Sequence, residues 1–320
     1  MKQQLWKSIT LGLGAVGILA LGLVGLYAYR MLLRPERTPE VRALYQGVSY
    51  RRIVKNQPRS LVLHAVEVDL TAPGIDFFVT PSVPADGSKL SADTVPGFLS
   101  KYGMQIAING SYFAPHKVNS PFHYYPHVGN GVRSLGIAVS DGDRYSEAKP
   151  GWAALCILSP GDIRITQNDC PAETQEAIAG DVQFIKDGKP YDGLAILKNS
   201  TKLYPRSAIA VNSDNTKLWF VAVDGRQLGY SEGVTLAELG SILIAELGAD
   251  RALNFDGGGS TTLAMRGTEG KPVVLNAPFQ ARVPMNLRPV ANHLGLRAQP
   301  LAEEAGQRAD DNTDADNNKE

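Results

Sequence analysis

The stretch RALNFDGGGSTTLAM, at 251–265, has the clearest potential for chemistry, because an acidic side chain is followed by three glycines. Asp256 ends a short apolar run. The residues after it that could contact a ligand are Gly257, Gly258, Gly259, Ser260 and Thr261. Consecutive glycines cost conformational entropy, and successive backbone N–H groups can form a concave anion site. A plain turn between two strands explains the same residues, so both interpretations stay open. No Gly-Lys-Ser/Thr follows, which excludes a Walker phosphate loop.

A second acidic residue, Asp224, ends the apolar run LWFVAV and is followed by Gly225 and Arg226. A loop leading to a helix comes next, so a hairpin turn explains this motif poorly. Arg206 opens the preceding apolar run, PRSAIAV. A guanidinium there could hold a phosphate or a carboxylate through two parallel hydrogen bonds, although an exposed arginine at a strand end fits equally well.

Polar residues also end the apolar run QIAINGSYF, where Asn109 and Ser111 surround a glycine. Asn-Gly is primarily a turn signal, so a ligand-binding role is one of two interpretations. Asn292 and His293 lie in RPVANHLGL, in a predicted final strand, where His293 fits a structural role better than that of a base.

Three histidines, His116, His123 and His127, cluster in one segment. The i, i+4 spacing of the last two suits a metal only on a helix, and Pro121 and Pro126 exclude that helix. We therefore predict no metal site, but either a sugar pocket or a surface loop.

Short Val-, Ile- and aromatic-rich runs alternate with turn residues, as strands joined by turns require. The predicted hairpins are LHAVEVDL with IDFFVTPSV, SLGIAVSDGDRYS, AALCILSPGDIRIT, DVQFIKDGKPY and SAIAVNSDNTKLWFVAVD. Helices are predicted within 91–102 and over 235–247, the second with a capping box that includes Glu238 and with Gly248 as its C-terminal stop. This pattern favours an α+β fold, a large mixed or antiparallel sheet with a few packed helices in a single domain.

The composition restricts the function, since 32 Lys and Arg balance 32 Asp and Glu in a chain of 320 residues. A protein with a net charge of zero has no overall positive field to attract a polyanion, so we do not expect nucleic-acid binding to be its main function. We divide the chain into a short polar start at 1–7, an uncharged transmembrane anchor or signal segment at 8–29, a linker at 30–45, a domain at 46–297 and a disordered acidic tail at 298–320.

The only two cysteines are Cys156 and Cys170, too few for a disulfide scaffold. A turn at Ser159-Pro160-Gly161-Asp162 would set Cys156 opposite Ile165 rather than Cys170. Pairing in an oxidising compartment and two free thiols both remain open.

Taken in order, the motifs NGSYF, PRSAIAV, VDGRQ with its downstream TLAEL helix, NFDGGGSTTL and RPVANHLGL resemble the phosphodiester glycosidase family over most of 105–297. The resemblance implies a hydrolase that cleaves the bond between a sugar C1 and a phosphate, releasing free sugar and a phosphomonoester. It also implies an extracytoplasmic domain anchored to the membrane, although the positive charges flanking 8–29 weakly favour a cytoplasmic one.

On this resemblance Asp256 and Asp224 supply the two carboxylates, and Arg206 and Arg226 hold the phosphate with the glycine amides. The residues expected to bind sugar hydroxyls or to brace the loop are Asn109, Ser111, Ser260, Thr261 and Asn292. We expect no cofactor. The alternative is a non-catalytic cell-surface module that binds an anionic exopolysaccharide or helps to assemble it.

Overall fold

The computed structural model describes residues 20–82, 90–197 and 199–301. The helices are α1 at 20–32, α2 at Val95–Tyr102, α3 at Leu236–Leu247 and two 3-10 helices at Asp192–Ile196 and Gly258–Ser260. The strands are β1 Glu40–Tyr45, β2 Val48–Lys55, β3 Leu61–Asp69, β4 Asp76–Val79, β5 Leu90–Ser91, β6 Ile106–Asn109, β7 Phe113–Ala114, β8 Lys117–Ser120, β9 His123–Tyr125, β10 Gly131–Ser134, β11 Ala138–Ser140, β12 Asp143–Ser146, β13 Ala153–Ser159, β14 Asp162–Gln167, β15 Glu176–Gly180, β16 Val182–Lys186, β17 Lys189–Pro190, β18 Arg206–Val211, β19 Lys217–Val223, β20 Arg251–Asn254, β21 Leu263–Arg266, β22 Pro272–Val274, β23 Phe279–Gln280, β24 Val283–Pro284 and β25 His293–Arg297.

An eight-stranded antiparallel sheet forms the centre of the fold, in the order β1-β2-β3-β19-β18-β20-β16-β17. Two five-stranded sheets accompany it, β22-β21-β6-β25-β4 and β12-β11-β15-β13-β14, with smaller sheets at the periphery. The paired strands are all antiparallel in the described residues, as expected for a sheet built largely from hairpins. The predicted class, antiparallel sheets with few helices in one domain, is confirmed.

The two faces of the central sheet are both buried, which explains why β18 and β19 are apolar at successive positions. One face, including Phe220 and Ile209, packs against Ile108 and Leu294 of a five-stranded sheet. The other, including Trp219, packs against α3. The central strands are therefore rigidly held, and their ends are fixed points on which a site can be built.

Helix α3 forms where it was predicted. Thr235 is its N-cap, Glu238 completes the capping box, and Gly248 ends it with a φ of 72°. Leu239 and Leu243 are buried against the sheet. Helix α2 lies within the predicted range 91–102 and begins after its N-cap, Thr94.

Four of the five predicted hairpins are present, but LHAVEVDL and IDFFVTPSV do not pair. The chain does turn at 70–74, but β3 joins the central sheet whereas β4 pairs with β25 in another sheet. Turn residues determine only that the chain changes direction. The sheet that a strand joins depends on the strand with which it pairs, which can be distant in sequence.

The predicted linker at 30–45 is also corrected. Residues 40–45 form β1, an edge strand of the central sheet. Arg37 donates to the Tyr230 carbonyl at 2.8 Å, and Arg34 stacks over the Tyr230 ring at 4.4 Å. Charged residues that suggested a spacer instead attach this segment to the domain.

The predicted segments 1–7 and most of 8–29 and 298–320 lie outside the described residues. Within the described ranges, no helix has both the length and the apolar character that crossing a bilayer requires.

Cys156 and Cys170 form a disulfide, with 5.7 Å between their Cα atoms. The predicted register at this hairpin is wrong by one residue, because an irregularity between Ile157 and Ser159 sets Cys156 opposite Arg164. The chain beyond β14 then returns Cys170 to Cys156.

Candidate active site

Several strand ends meet at one end of the central sheet, and a cleft of about 210 Å³ opens there. Arg206, at the start of β18, lies opposite Val223 at the end of β19, and Asn254 at the end of β20 pairs with Val182 at the start of β16. Antiparallel pairing thus brings the segments 224–226, 255–260 and 180–181 together. The cleft is lined by Tyr112, His116, Asn199, Tyr204, Pro205, Arg206, Arg226, Asp256, Gly257, Gly258, Gly259 and Arg288.

The acidic group of this cleft is Asp256, whose side chain is 15% exposed. Its Oδ2 accepts a hydrogen bond from Ser260 Oγ at 2.5 Å and lies 4.0 Å from Arg288 Nη1. Burial raises the pKa of Asp256 to about 6, although the Arg288 charge and the Ser260 hydroxyl act in the opposite direction. The carboxylate is therefore ionised at neutral pH but poorly solvated, a combination typical of reactive groups.

Three guanidinium groups line the cleft together with this carboxylate, those of Arg206, Arg226 and Arg288. Burial and the nearby charge of Arg226 lower the pKa of both Arg206 and Arg288. Such a concentration of positive charge, with one carboxylate on the cleft wall, is suited to an anion that carries more than one oxygen acceptor.

Arg206 is buried and rigidly held. Its Nη2 donates to the Asn199 and Lys202 carbonyls at 2.7 and 3.1 Å, and its Nε donates to the Val234 carbonyl at 3.3 Å. Its Nη1 makes no hydrogen bond to any residue that the structure describes, which leaves this nitrogen available to a ligand.

Arg226 is exposed and has a φ of 60°, and its guanidinium stacks over the Tyr204 ring at 4.5 Å. Its guanidinium makes no hydrogen bond to the described part of the chain. Arg288, which sequence reasoning missed, donates to Ser260 Oγ at 3.1 Å and to Gln280 Oε1 at 2.9 Å. Arg288 is the first residue of the motif RPVANHLGL, but nothing in that motif indicates a function for it.

The glycine triplet packs tightly against its neighbours. A Cβ at Gly257 would lie 2.6 Å from the Pro205 carbonyl oxygen, and one at Gly259 would lie 2.5 Å from Arg288 Nη2. Gly258 has a φ of 64°, and its N–H donates to the Pro205 carbonyl. The Gly257 N–H acts to lower the pKa of the Asp256 carboxyl, against the effect of burial. Because the Gly258 N–H is used within the fold, the triplet forms a close turn rather than a complete anion cradle.

A second carboxylate near Asp256 belongs to Asp181, which sequence reasoning also missed. Asp181 does not line the cleft, but accepts from Tyr112 Oη at 3.0 Å and from Asn254 Nδ2 at 2.8 Å. Burial raises the pKa of Asp181, and its negative charge adds to the rise of the Asp256 pKa. Asp181 opens the run DVQFIKDGKPY, but only the sheet topology brings its charge near Asp256.

Asp224 does not lie on the cleft wall with Asp256. Its side chain is 0% exposed, and its Oδ2 is 2.9 Å from His64 Nε2. Its Oδ1 accepts from Asn276 Nδ2 at 3.1 Å and from the Ala277 N–H at 2.8 Å. Asn276 Nδ2 also contacts the Thr261 carbonyl at 3.2 Å, so Asp224 supports the loop after the glycine triplet.

Other predicted ligand-binding residues instead brace the loop. Asn109 Nδ2 donates to the Asp256 carbonyl at 2.6 Å, and its Oδ1 accepts from Ser207 Oγ and the Thr262 N–H. Asn292 Oδ1 accepts from the Ser111 N–H at 2.9 Å, while Ser111 Oγ donates to the Ala179 carbonyl. Both Asn109 and Asn292 are fully buried.

Thr261 is also buried, and its Oγ1 has no hydrogen-bond partner in the described residues. Ser260 contacts the reactive carboxylate directly, as described above. Of the five residues predicted to bind sugar or brace the loop, Ser260 is thus the one whose hydroxyl bonds to a cleft-lining carboxylate.

The histidines separate into two groups. His116 lines the cleft, and burial together with the charge of Arg288 lowers its pKa to about 4. His123 and His127 lie along the neighbouring hairpin. His293 is fully buried, with Nδ1 2.9 Å from Thr80 Oγ1, as expected for a structural histidine. Among the described residues, no three His, Cys, Asp or Glu side chains are grouped to hold a metal ion.

Comparison with known proteins gives one family match. The family model for phosphodiester glycosidase matches residues 102–297, more than half of the 320 residues. This range includes every cleft-lining residue named above. No curated protein matches the chain.

Solved structures share the fold at low identity. The zebrafish N-acetylglucosamine-1-phosphodiester alpha-N-acetylglucosaminidase catalytic domain, auto-inhibited by its pro-peptide, is 19% identical with a TM-score of 0.55, over 85% of this chain and 93% of that one. A hypothetical protein from Synechocystis is 15% identical with a TM-score of 0.62, over 82% of this chain. This chain spans 64% of the length of the Synechocystis protein.

Proposed function

Because the chain belongs to the phosphodiester glycosidase family, we propose that it hydrolyses glycosyl-1-phosphodiesters at the bond between the sugar C1 and the phosphate oxygen. The observation that carries this proposal is the poorly solvated carboxylate of Asp256 in a cleft lined by Arg206, Arg226 and Arg288. A phosphodiester supplies the anion for the arginines, and its anomeric carbon supplies the electrophile for the carboxylate.

The phosphate binds first through its negative oxygens. Arg206 Nη1 and the Arg226 guanidinium have no hydrogen bonds to the described chain, so both can bind phosphate without breaking an existing contact. Arg226 is exposed at the cleft edge, whereas Arg206 is fixed by three backbone carbonyls. The exposed arginine captures the anion and the buried one fixes its position.

The bond then breaks between C1 and the phosphate oxygen, with its electron pair leaving on the phosphate. Positive charge develops at C1, and the ionised Asp256 stabilises it, either attacking C1 directly or accepting a proton from a water that attacks C1. The oxygen of one water ends on C1. The departing phosphomonoester is already a good leaving group, and the arginines stabilise its new charge, so protonation matters less than in ordinary glycoside hydrolysis.

Asp181 and Asp224 act as positioning residues in this scheme. Asp181 holds Tyr112 against the cleft and adds negative potential to the site of developing positive charge. Asp224 holds Asn276 and, through it, the loop that carries Ser260. Neither side chain needs to touch the substrate.

The same proposal places the domain outside the cytoplasm, attached to the membrane through the segment that includes 8–29. The disulfide between Cys156 and Cys170 supports an oxidising compartment. The exposed apolar side chains of α1, among them Leu21, Leu23 and Val24, support association of this segment with lipid. Labelling of introduced cysteines with a membrane-impermeant thiol reagent in intact cells tests this topology.

The activity is tested with the full-length chain and a panel of sugar-1-phosphodiesters, following free sugar and phosphomonoester by mass spectrometry. We expect matched release of both products from at least one diester, and its loss in Asp256→Asn. Binding of the diesters without any product would instead support the non-catalytic module that holds an anionic glycan.

A further inference from the structure

A leucine projects into solvent from a closed turn beside the active-site cleft. Leu228 is 88% exposed, and two backbone hydrogen bonds between Gln227 and Ser231, of 3.0 and 2.9 Å, close the turn that carries it. Arg226, which lines the cleft, immediately precedes this turn. We call residues 227–231 the leucine turn. Its hydrogen bonds hold Leu228 in a fixed place at the edge of the cleft.

A neighbouring loop exposes further apolar side chains, those of Ile196 and Leu203. The Tyr204 ring, which follows Leu203 and lines the cleft, stacks under the Arg226 guanidinium at 4.5 Å. Tyr204 and Val234 also exchange backbone hydrogen bonds of 3.2 and 3.1 Å. The two loops are therefore joined, and each exposes large apolar side chains next to the cleft. Exposed apolar side chains that are grouped in this way mark a contact with a partner or a membrane.

The leucine turn is attached to the chain that emerges from α1. Arg34 Nη1 lies 3.5 Å from Gln227 Oε1, and the Arg34 guanidinium stacks over the Tyr230 ring at 4.4 Å. Tyr230 Oη donates to the Pro35 carbonyl at 3.0 Å. These contacts fix the first residues after α1 on the leucine turn.

The connection between the uncharged segment and the leucine turn is short. Tyr29 is the last residue of that segment, and Arg34 follows five positions later. A chain extends by at most about 3.6 Å per residue, so Arg34 lies within about 18 Å of Tyr29. Leu32 and Leu33, which lie between them, are both exposed. Given the proposed attachment of 8–29 to the membrane, this connection keeps the leucine turn at the bilayer surface.

We infer that Leu228 inserts into the membrane surface and that the cleft opens toward the lipid, an inference that rests on the proposed membrane attachment and hydrolysis. A partner protein would cover the same side chains, but the connection of about 18 Å is shorter than the diameter of a small domain, about 30 Å. Lipid therefore fits the space between the anchor and the turn. Burial of an apolar side chain at the headgroup boundary stabilises such a contact.

This orientation favours one class of substrate, glycosyl-1-phosphodiesters whose alcohol is part of a membrane lipid. The phosphate of such a diester lies at the level of the headgroups, where the exposed Arg226 at the cleft edge can bind it. The sugar then enters the cleft toward Asp256, while the lipid chains stay in the bilayer.

The membrane contact is tested without turnover, using the full-length chain in vesicles of phosphatidylethanolamine and phosphatidylglycerol that contain a spin-labelled lipid. The only two cysteines, Cys156 and Cys170, form a disulfide, so an introduced cysteine can be labelled selectively with a fluorophore. The labelled variants are Leu228→Cys and Leu203→Cys. Val273→Cys is the matched control, because Val273 is a 45% exposed apolar residue on β22, outside both loops.

We expect the spin-labelled lipid to quench the fluorophore in Leu228→Cys and Leu203→Cys and to leave that in Val273→Cys unquenched. No quenching in Leu228→Cys overturns the inference and favours a protein partner for these side chains. Equal quenching in all three variants also overturns it, and so does a chain that does not float with the vesicles.

An activity measurement separates the membrane contact from the hydrolysis. Two diesters carry N-acetylglucosamine-1-phosphate, and the alcohol is a vesicle-borne diacylglycerol in one and methanol in the other. We expect Leu228→Ser to lower kcat/KM for the lipid diester by about tenfold, the factor expected when one leucine no longer enters an apolar environment. The kcat/KM for the methyl diester should be unchanged, and Val273→Ser should change neither value.

An equal loss on both diesters overturns the inference, because the turn would then only shape the cleft. An unchanged kcat/KM for the lipid diester overturns it as well. Quenching in Leu228→Cys with neither diester hydrolysed retains the membrane contact and refutes the hydrolysis. Hydrolysis of the methyl diester without quenching in Leu228→Cys retains the hydrolysis and refutes the contact.

Discussion

Replacing Asp256 by Asn is expected to stabilise the protein at neutral pH while abolishing its activity. Burial raises the pKa of Asp256 from 3.8 to about 6, so keeping this carboxylate ionised in the fold costs about 3 kcal/mol of unfolding free energy. Asn has the same shape, and its carbonyl oxygen can still accept from Ser260 Oγ. The variant therefore removes the cost without removing that contact.

The stabilisation depends on pH in a defined direction. Because the pKa of Asp256 is higher in the folded chain than in the unfolded chain, the cost is absent well below pH 3.8, grows as the pH rises toward 6 and is complete above it. At about 2–4 °C per kcal/mol, Asp256→Asn should melt about 6–12 °C above the wild type at pH 7.5. At pH 5 the difference should be about half as large.

Thermal unfolding of wild type and variant at pH 5 and 7.5, followed by circular dichroism, measures this difference. Asp143→Asn is the matched control, since Asp143 is exposed, and surface substitutions usually change stability by less than about 0.5 kcal/mol. An Asp256→Asn variant that melts at or below the wild-type temperature at pH 7.5 would refute the reasoning that the fold holds this carboxylate at a cost.

Three further predictions concern catalysis and stability. The kcat/KM for a hydrolysed diester should fall tenfold per pH unit below about pH 6, because Asp256 must be ionised; a flat profile from pH 5 to 7 would exclude this role. The double variant Cys156→Ser and Cys170→Ser should lose about 3 kcal/mol in urea unfolding, since their disulfide closes a 14-residue separation; equal midpoints for variant and oxidised wild type would contradict it. Asp224→Ala should cost at least about 3 kcal/mol in the same assay, because it leaves His64 Nε2 and two other buried donors unpaired; a loss below about 1 kcal/mol would contradict this supporting role.

Local signals in the sequence predicted the elements that depend on local chemistry. Helix α3 needs only its capping box, its leucine spacing and Gly248, all of which lie within 14 residues. Four hairpins likewise follow from turn residues between apolar runs. The pairing of β4 with β25 could not be predicted in this way, because their residues are more than 200 positions apart and no turn connects them.

The same distinction applies to the site. Asp256 and its glycines were predicted because the whole motif is contiguous. Arg206 was predicted because it opens an apolar run, and Arg226 because it follows one. Asp224 looked equivalent to Asp256 in sequence. Its carboxylate, however, contacts a buried histidine, His64, on the adjacent strand β3. Side-chain direction at a strand end depends on tertiary packing, which no local motif records.

Arg288 and Asp181 show the opposite error, because the sequence analysis did not predict them and the structure places them near Asp256. Neither belongs to a motif with a recognisable chemistry, and each comes near Asp256 only through strand pairing and loop packing. Both nevertheless shift the pKa of Asp256. The electrostatics of the reactive group therefore depend on residues that only the folded structure identifies.

The most direct test of the account is hydrolysis of a cleaved sugar-1-phosphodiester in water enriched in oxygen-18, with both products analysed by mass spectrometry. Breaking the bond between C1 and the phosphate oxygen puts the heavy oxygen on the sugar and leaves the phosphomonoester unlabelled, and we expect this distribution. Label in the phosphomonoester and none in the sugar would show that the phosphorus–oxygen bond breaks, and would contradict an Asp256 that acts at the anomeric carbon.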